Sequence, residues 1–180
     1  MQPRIEGVAL AARRVWFERR FELGLPPEAF PDIVERVRGT PARLEERVRG
    51  IAPALLVRRV ETTWSIQENV GHLLDLELLW SGRLDELLAG AATLRAADVT
   101  NRTTHEANHN ARKLHDLLAA FRAARGDVVA RLDALAPSDL SRTALHPRLQ
   151  QPMTVTDLFF FVAEHDDHHL ARISELMRQV

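Results

Sequence analysis

Apolar residues along this chain recur every three or four positions, and no stretch keeps the two-residue alternation of a strand. From Phe30 to Ile51 the stripe runs through Ile33, Val37, Leu44 and Val48, which predicts a helix. Gly39-Thr40-Pro41 falls inside it and predicts a kink or a restart, with Thr40 capping a second piece and Pro41 at its first position. Ser65 and Glu68 form an S-x-x-E capping box that opens a second helix, reaching about Ala89. Residues 90–103 (GAATLRAADVTNRT) read as an exposed connection. Thr103 and Glu106 repeat the box and predict a third helix to about Leu135. Its stripe takes in Ala111, Leu114, Leu118, Phe121, Arg125, Val128 and Leu132. Pro137, Pro147 and Pro152 make 136–153 a loop. Thr154, with Asp157 three residues on, caps a last helix that runs to the C-terminus.

Four long helices with seam steps near 3.5 residues predict an all-α, left-handed four-helix bundle over residues 27–180, a single domain. Residues 1–26 predict a short N-terminal helical extension, with Val8, Ala12, Val15 and Trp16 on one side. From Leu158 to Ala163 the last helix is apolar without interruption, so it is expected at the centre of the bundle or at an interface.

The 180 residues suffice for one domain with a sizeable core, and 46% hydrophobic with 27% charged residues is ordinary for a soluble protein. A net charge of −1 argues against nucleic acid as a partner, because phosphate binding wants a basic face. There is no cysteine, which excludes disulfides, thiolate ligands and a cysteine nucleophile. No apolar run is long enough for a membrane span, so no membrane partner is expected. The start, MQPRIEGVALAARR, has too short an apolar part for a secretory signal, and Glu6, Glu18 and Glu22 weaken an organelle-targeting reading; a cytoplasmic location is expected.

Three of the eight histidines fall within AEHDDHHLARI, residues 163–173. The last helix's seam reads Leu158, Val162, His165, His169, Ile173, Leu176 and Val180, so His165 and His169 replace apolar residues on an inward stripe. His168 sits about 100° from His165 on the helical wheel and belongs at the rim. Asp166 and Asp167 also leave the stripe centre. Two inward imidazoles one turn apart can reach one ion, or they can be core histidines with hydrogen-bond partners. His72, seven residues past Ser65, borders an apolar face with Leu76 and Leu79 and can meet the pair from the second helix. His105 and His109 are also four apart, but they project about 150° or more away from the third helix's stripe and read as solvated surface, as does His115. His146 precedes Pro147 in a loop and is uninformative alone.

TWSIQENVGHLLDLELLW (63–80) resembles the second helix of the DinB-like family, a damage-inducible metal-binding bundle family unrelated to the polymerase of the same name. VAEHDDHHLARI (162–173) resembles its closing helix, and WFERRFELGLP (16–26) and RGTPARLEE (38–46) resemble openings seen in one branch. The resemblance implies a four-helix bundle, commonly dimeric, in which His72, His165 and His169 bind a divalent ion. It implies relatives that use a low-molecular-weight thiol at the metal, and others described as metal-dependent hydrolases.

Three imidazoles and no thiolate leave an open coordination position, the mark of a catalytic rather than a structural site. Zinc is the expected ion and nickel the next. It can acidify a bound water or bind an external thiol as thiolate. The first expectation is therefore an enzyme that activates a small thiol for transfer to an electrophile, with a small-molecule substrate. The second is a hydrolase, for which Glu68 or Glu164 is the candidate base, although Glu68 also fits the capping role. The third is a non-catalytic metal- or ligand-binding module. Arg125, on its helix's stripe, is either paired with a core carboxylate or free to hold an anionic substrate group. Pocket shape depends on Trp64, Trp80, Phe121, Phe159, Phe160 and Phe161, residue types that serve the core more often than a cofactor.

Overall fold

The computed structural model describes residues 13–179. Val8 and Ala12 of the predicted N-terminal helix lie outside the described residues. Val15 is exposed, and Trp16–Glu18 form a single 3-10 turn.

Helix α1, Phe30–Val48, runs through Pro41 without a restart. Proline has no amide to give the carbonyl one turn back. That carbonyl, Val37 O, instead accepts from Arg125 Nη1 at 3.0 Å. Thr40 caps nothing; its hydroxyl donates to Asp166 Oδ2 at 2.7 Å. The short helix α2, Pro53–Leu56, leads to α3, Ile66–Asp75, and α4, Glu77–Leu88. Their interruption is one residue, Leu76, and bonds of helical spacing bridge it, Leu76 N to His72 O at 3.2 Å and Trp80 N to Leu76 O at 3.0 Å. The two therefore serve as the one rod expected over 65–89. The capping box at its start is present in both directions, Glu68 N to Ser65 Oγ at 3.1 Å and Ser65 N to Glu68 Oε2 at 2.8 Å.

The third predicted helix is divided. Asn101 and Asn108 adopt left-handed backbone, with φ of 54° and 48°; Asn101 precedes the predicted helix, and Asn108 lies within it and interrupts it. Between them lies α5, Arg102–Glu106, followed by a 3-10 turn at His109–Ala111. The long helix α6 then covers only Leu114–Asp133, and the box expected at Thr103 does not form. The predicted loop 136–153 contains a hairpin: β1, Thr143–His146, pairs antiparallel with β2, Gln151–Thr154. Leu145 also binds the connection after α4, donating to Ala92 O at 2.9 Å and accepting from Leu94 N at 3.0 Å. The last helix, α7, Val155–Arg178, starts on the Thr154–Asp157 box as expected.

α1 packs on α6 and α7, and α3 packs on the same two, so the first and second long helices lie diagonally across a four-helix bundle. The apolar breadth of α7 is used inside the chain: Leu158, Phe159, Phe161, Val162 and Ala163 are all buried. That breadth therefore requires no second copy to cover it. Among the described residues no helix is long and apolar enough to cross a membrane.

The core is two apolar clusters. One gathers Val37, Trp80, Val128 and Val162; the other gathers Leu44, Leu73, Phe121 and Leu170. Between them each long helix contributes a buried polar residue: Thr40 from α1, Glu77 from α4, Arg125 from α6 and Asp166 from α7. The three histidines singled out above, His72, His165 and His169, lie in sequence within this same mid-bundle level.

Candidate metal centre

His72, His165 and His169 are buried, and one nitrogen of each lies within 4.8 Å of the others. The adjacency of α3 and α7 produces this, with His72 facing the pair one turn apart on α7. Small ring movements bring such nitrogens to the roughly 2.1 Å of a zinc–imidazole bond. Two of the rings are oriented from behind. His72 Nδ1 is 2.9 Å from Thr104 Oγ1, and that hydroxyl donates to Asp75 Oδ2 at 2.7 Å. Thr104 must therefore accept from His72 Nδ1–H, leaving the His72 Nε2 lone pair free. Asn69 Nδ2 donates to Ser65 O at 2.7 Å, so its Oδ1 accepts from His169 Nδ1–H at 2.9 Å, with the same result. His165 Nδ1 is buried with no hydrogen-bond partner among the described residues. An orphaned ring nitrogen beside two imidazoles with free lone pairs fits a bound cation. Burial lowers His72 to about 4 and holds His165 and His169 well below the usual histidine range, with the neighbouring rings adding to the effect. All three are thus neutral at physiological pH, the state a metal ligand needs.

The triad opens on a cavity of about 430 Å³. Trp64 lies 4.7 Å from the His72 ring, and Trp16 and Trp80 lie 5.0 and 5.7 Å from the His165 ring. Trp64, Trp80 and Phe161 line the cavity; Phe121 and Phe159 are core, and Phe160 packs at its edge. His168 sits at the rim as expected, beside Arg13, and is lowered to about 4 by burial and then by that arginine.

Three side chains considered for catalysis are engaged elsewhere. Glu68 keeps its cap and is paired with Arg59. Glu164 does not face water freely but is held by Arg19 and Arg36. Arg125 is not available to a substrate: its guanidinium binds Glu77, Asp166 and Val37 O. Burial opposes its charge, but the carboxylates of Asp166 and Glu77 outweigh that and keep it firmly protonated. Asp166, placed off the stripe centre above, is fully buried as this partner.

His109 also differs from expectation. It is buried, not solvated: its Nε2 donates to Asp75 Oδ2 at 2.9 Å and its ring packs on Gly71, where a Cβ would collide with it. Projection on a continuous helix pointed it outward, and that helix is broken at Asn108. His105 and His115 are exposed as expected. His146, left open above, is buried in β1 and lines the cavity. Asn69 has a sequence signal of its own, a polar residue one turn before an inward histidine. Thr104 and Asp75 carried none, because the contact between them spans 29 residues.

The model of the DinB superfamily matches residues 36–173. The chain belongs to the DinB superfamily. Among solved DinB-like structures, YfiT from Bacillus subtilis is 21% identical, with a TM-score of 0.79 over 90% of this chain and 93% of its own. It is described as a probable metal-dependent hydrolase with an unusual four-helix bundle topology. The colibactin self-resistance protein ClbS, solved in complex with dsDNA, is 15% identical, with a TM-score of 0.64 over 82% of this chain and 95% of its own. A mycothiol-dependent maleylpyruvate isomerase is 13% identical, with a TM-score of 0.61 over 82% of this chain and 60% of its own. At these identities the likeness establishes the fold. No curated protein matches the chain by sequence. The ClbS complex corrects the exclusion of nucleic acid drawn from net charge: a bundle of this fold is found on dsDNA, and whole-chain charge averages over any local basic surface.

Proposed function

We propose that this DinB protein is a metal-dependent enzyme that holds a divalent ion, zinc by preference, on His72, His165 and His169. In this reading it activates a low-molecular-weight thiol for transfer to an electrophile. Bound there, the ion supplies a Lewis acid that favours the ionised form of a thiol or a water. The protein's own residues do the rest. Thr104 and Asn69 hold the ring tautomers, the three tryptophans exclude bulk water, and the cavity takes the substrate.

One observation favours thiol over water as nucleophile. Attack by water is assisted by a nearby general base, and among the described residues the carboxylates closest to the triad are engaged. Glu68 caps α3, Glu164 lies between two arginines, Asp75 accepts from Thr104 and His109, and Asp98 accepts from Thr100 and Arg102 amides. A thiol that loses its proton on binding needs no such base, and a chain without cysteine takes that thiol from outside. The mycothiol-dependent isomerase on the same fold supports this reading, whereas the description of YfiT supports hydrolysis.

The test incubates zinc-loaded protein with glutathione, cysteine or another small thiol and a panel of electrophiles, following conjugate formation. Conjugation that depends on the thiol and is lost on chelation and in His169→Ala is expected. Ester or amide cleavage without any thiol, lost in the same variant, would replace this reading with hydrolysis. Stoichiometric zinc with neither activity would leave a binding module.

A further inference from the structure

Two arginines on the cavity wall make no ion pair among the described residues, unlike Arg13 and Arg172, which share Glu175. Arg83 is 1% exposed and gives Nε and Nη2 to the backbone oxygen of Arg95, at 3.1 and 3.0 Å. Arg148 has a buried Nη2 with no hydrogen-bond partner among the described residues. Both flank His146, and there the donors do not balance. His146 Nδ1 accepts from the amides of Arg148 and Leu149, each at 3.2 Å. Its proton is therefore on Nε2, which faces another donor, Arg83 Nη1, at 3.1 Å. Arg83 Nη1 and His146 Nε2–H thus face each other, Arg148 Nη2 lines the same cavity, and among the described residues none of the three has an acceptor. A buried donor without a partner is costly, and a buried cation without a counterion more so. Burial lowers Arg83 to about 10, and burial followed by the two arginines lowers His146 to about 4. The arginine keeps its charge and the imidazole its single proton.

Aromatic rings connect this corner to the triad. The Trp80 ring lies 5.6 Å from Arg83 Cζ and 5.7 Å from the His165 ring. The Phe161 ring lies 5.9 Å from Arg148 Cζ and 5.3 Å from the His146 ring. All of them line the same cavity.

We propose that Arg83, His146 Nε2–H and Arg148 form an oxyanion subsite, and that substrates of this cavity carry a carboxylate or phosphate group that docks there while their reacting end faces the three histidines. The second half rests on the metal-centre reading; the subsite itself does not. An oxyanion supplies the acceptors the three donors lack, and planar guanidinium groups suit it geometrically.

The test is calorimetric titration of the whole protein, zinc-loaded and chelated, with succinate, with inorganic phosphate and with uncharged succinamide. Succinate or phosphate is expected to bind and succinamide not to, the stronger of the two naming the group recognised. Arg148→Gln, a half-buried position, should weaken binding at least tenfold, and His169→Ala should leave it unchanged. In parallel, the His146 Nε2–H resonance of the unmodified protein should shift on anion addition, a readout that does not depend on a variant folding. Oxyanion binding that persists in Arg148→Gln would overturn the subsite, and binding that needs zinc and His169 would place the anion on the ion and overturn it too. Absence of binding would overturn it as well. Arg148-dependent binding in a protein that takes up no zinc would keep the subsite and remove the metal reading.

Discussion

His72 reaches the cavity with its Nδ1 hydrogen already committed to Thr104, and Thr104 passes the contact to Asp75 Oδ2, the oxygen to which His109 also donates. The chain is buried at Thr104 and His109, where water cannot replace a missing partner. Replacing Thr104 with valine keeps the shape and removes the hydroxyl, so His72 loses the bond that sets its tautomer. Losses of a partner behind a metal-ligating histidine commonly cost about 10- to 100-fold in affinity. Thr104→Val is expected to weaken zinc binding by that order in competition against a chromophoric chelator, with the far-UV spectrum unchanged. His105→Ala, four positions from His109 but exposed, should leave zinc affinity where it was. Equal affinity in Thr104→Val and the unmodified protein would show that the tautomer is set some other way.

At the scale of the element, the start of α3 holds a charge whose balance is readable in pH. Burial pushes the Glu68 carboxyl up, but the Arg59 hydrogen bond and the Ser65 amide outweigh it and hold it at about 2, against 4.5 for a free glutamate. A carboxyl held below its unfolded value stabilises fully above about 4.5, and that contribution is lost as the pH falls towards 2. Glu68→Gln should therefore lower the urea midpoint near neutral pH and flatten its decline between those two values; an unchanged slope would assign the acid limb to other carboxylates. This cap was legible in the sequence because it is local, as was the box at Thr154, and so was the inward stripe carrying His165 and His169. The division of the third helix was not. Asn101 and Asn108 turn left-handed in a segment that places Thr104 under His72 and His109 against Gly71. Those contacts are tertiary, so local propensity gave the wrong answer there and the burial of His109 with it. The hairpin was hidden for a different reason: two four-residue strands, one containing Pro152, are too short to show a period. The corner formed by Arg83, His146 and Arg148 depends on that hairpin and on the connection after α4, so none of it could be read from helix faces.

Across the whole molecule, the two apolar clusters are accompanied by a buried polar layer, in which one cation binds both acids. Arg125 binds Glu77 at 2.7 Å and Asp166 at 2.6 Å, while Thr40 donates to the same Asp166 oxygen. Removing that cation alone leaves two carboxylates in the core of the bundle with nothing to neutralise them. Breaking a buried pair from one side costs about 3–5 kcal/mol. For a chain of this size roughly 2–4 °C accompanies each kcal/mol, so Arg125→Met should lower Tm by on the order of 10 °C. The same reasoning makes the loss non-additive. If unpaired charge is the cause, combining Arg125→Met with Glu77→Leu and Asp166→Leu removes the orphans and restores most of the Tm, although more residues have changed. A triple variant at least as unstable as the single one would show instead that the geometry of the layer, and the helix register it enforces beside His165, is what the bundle cannot lose.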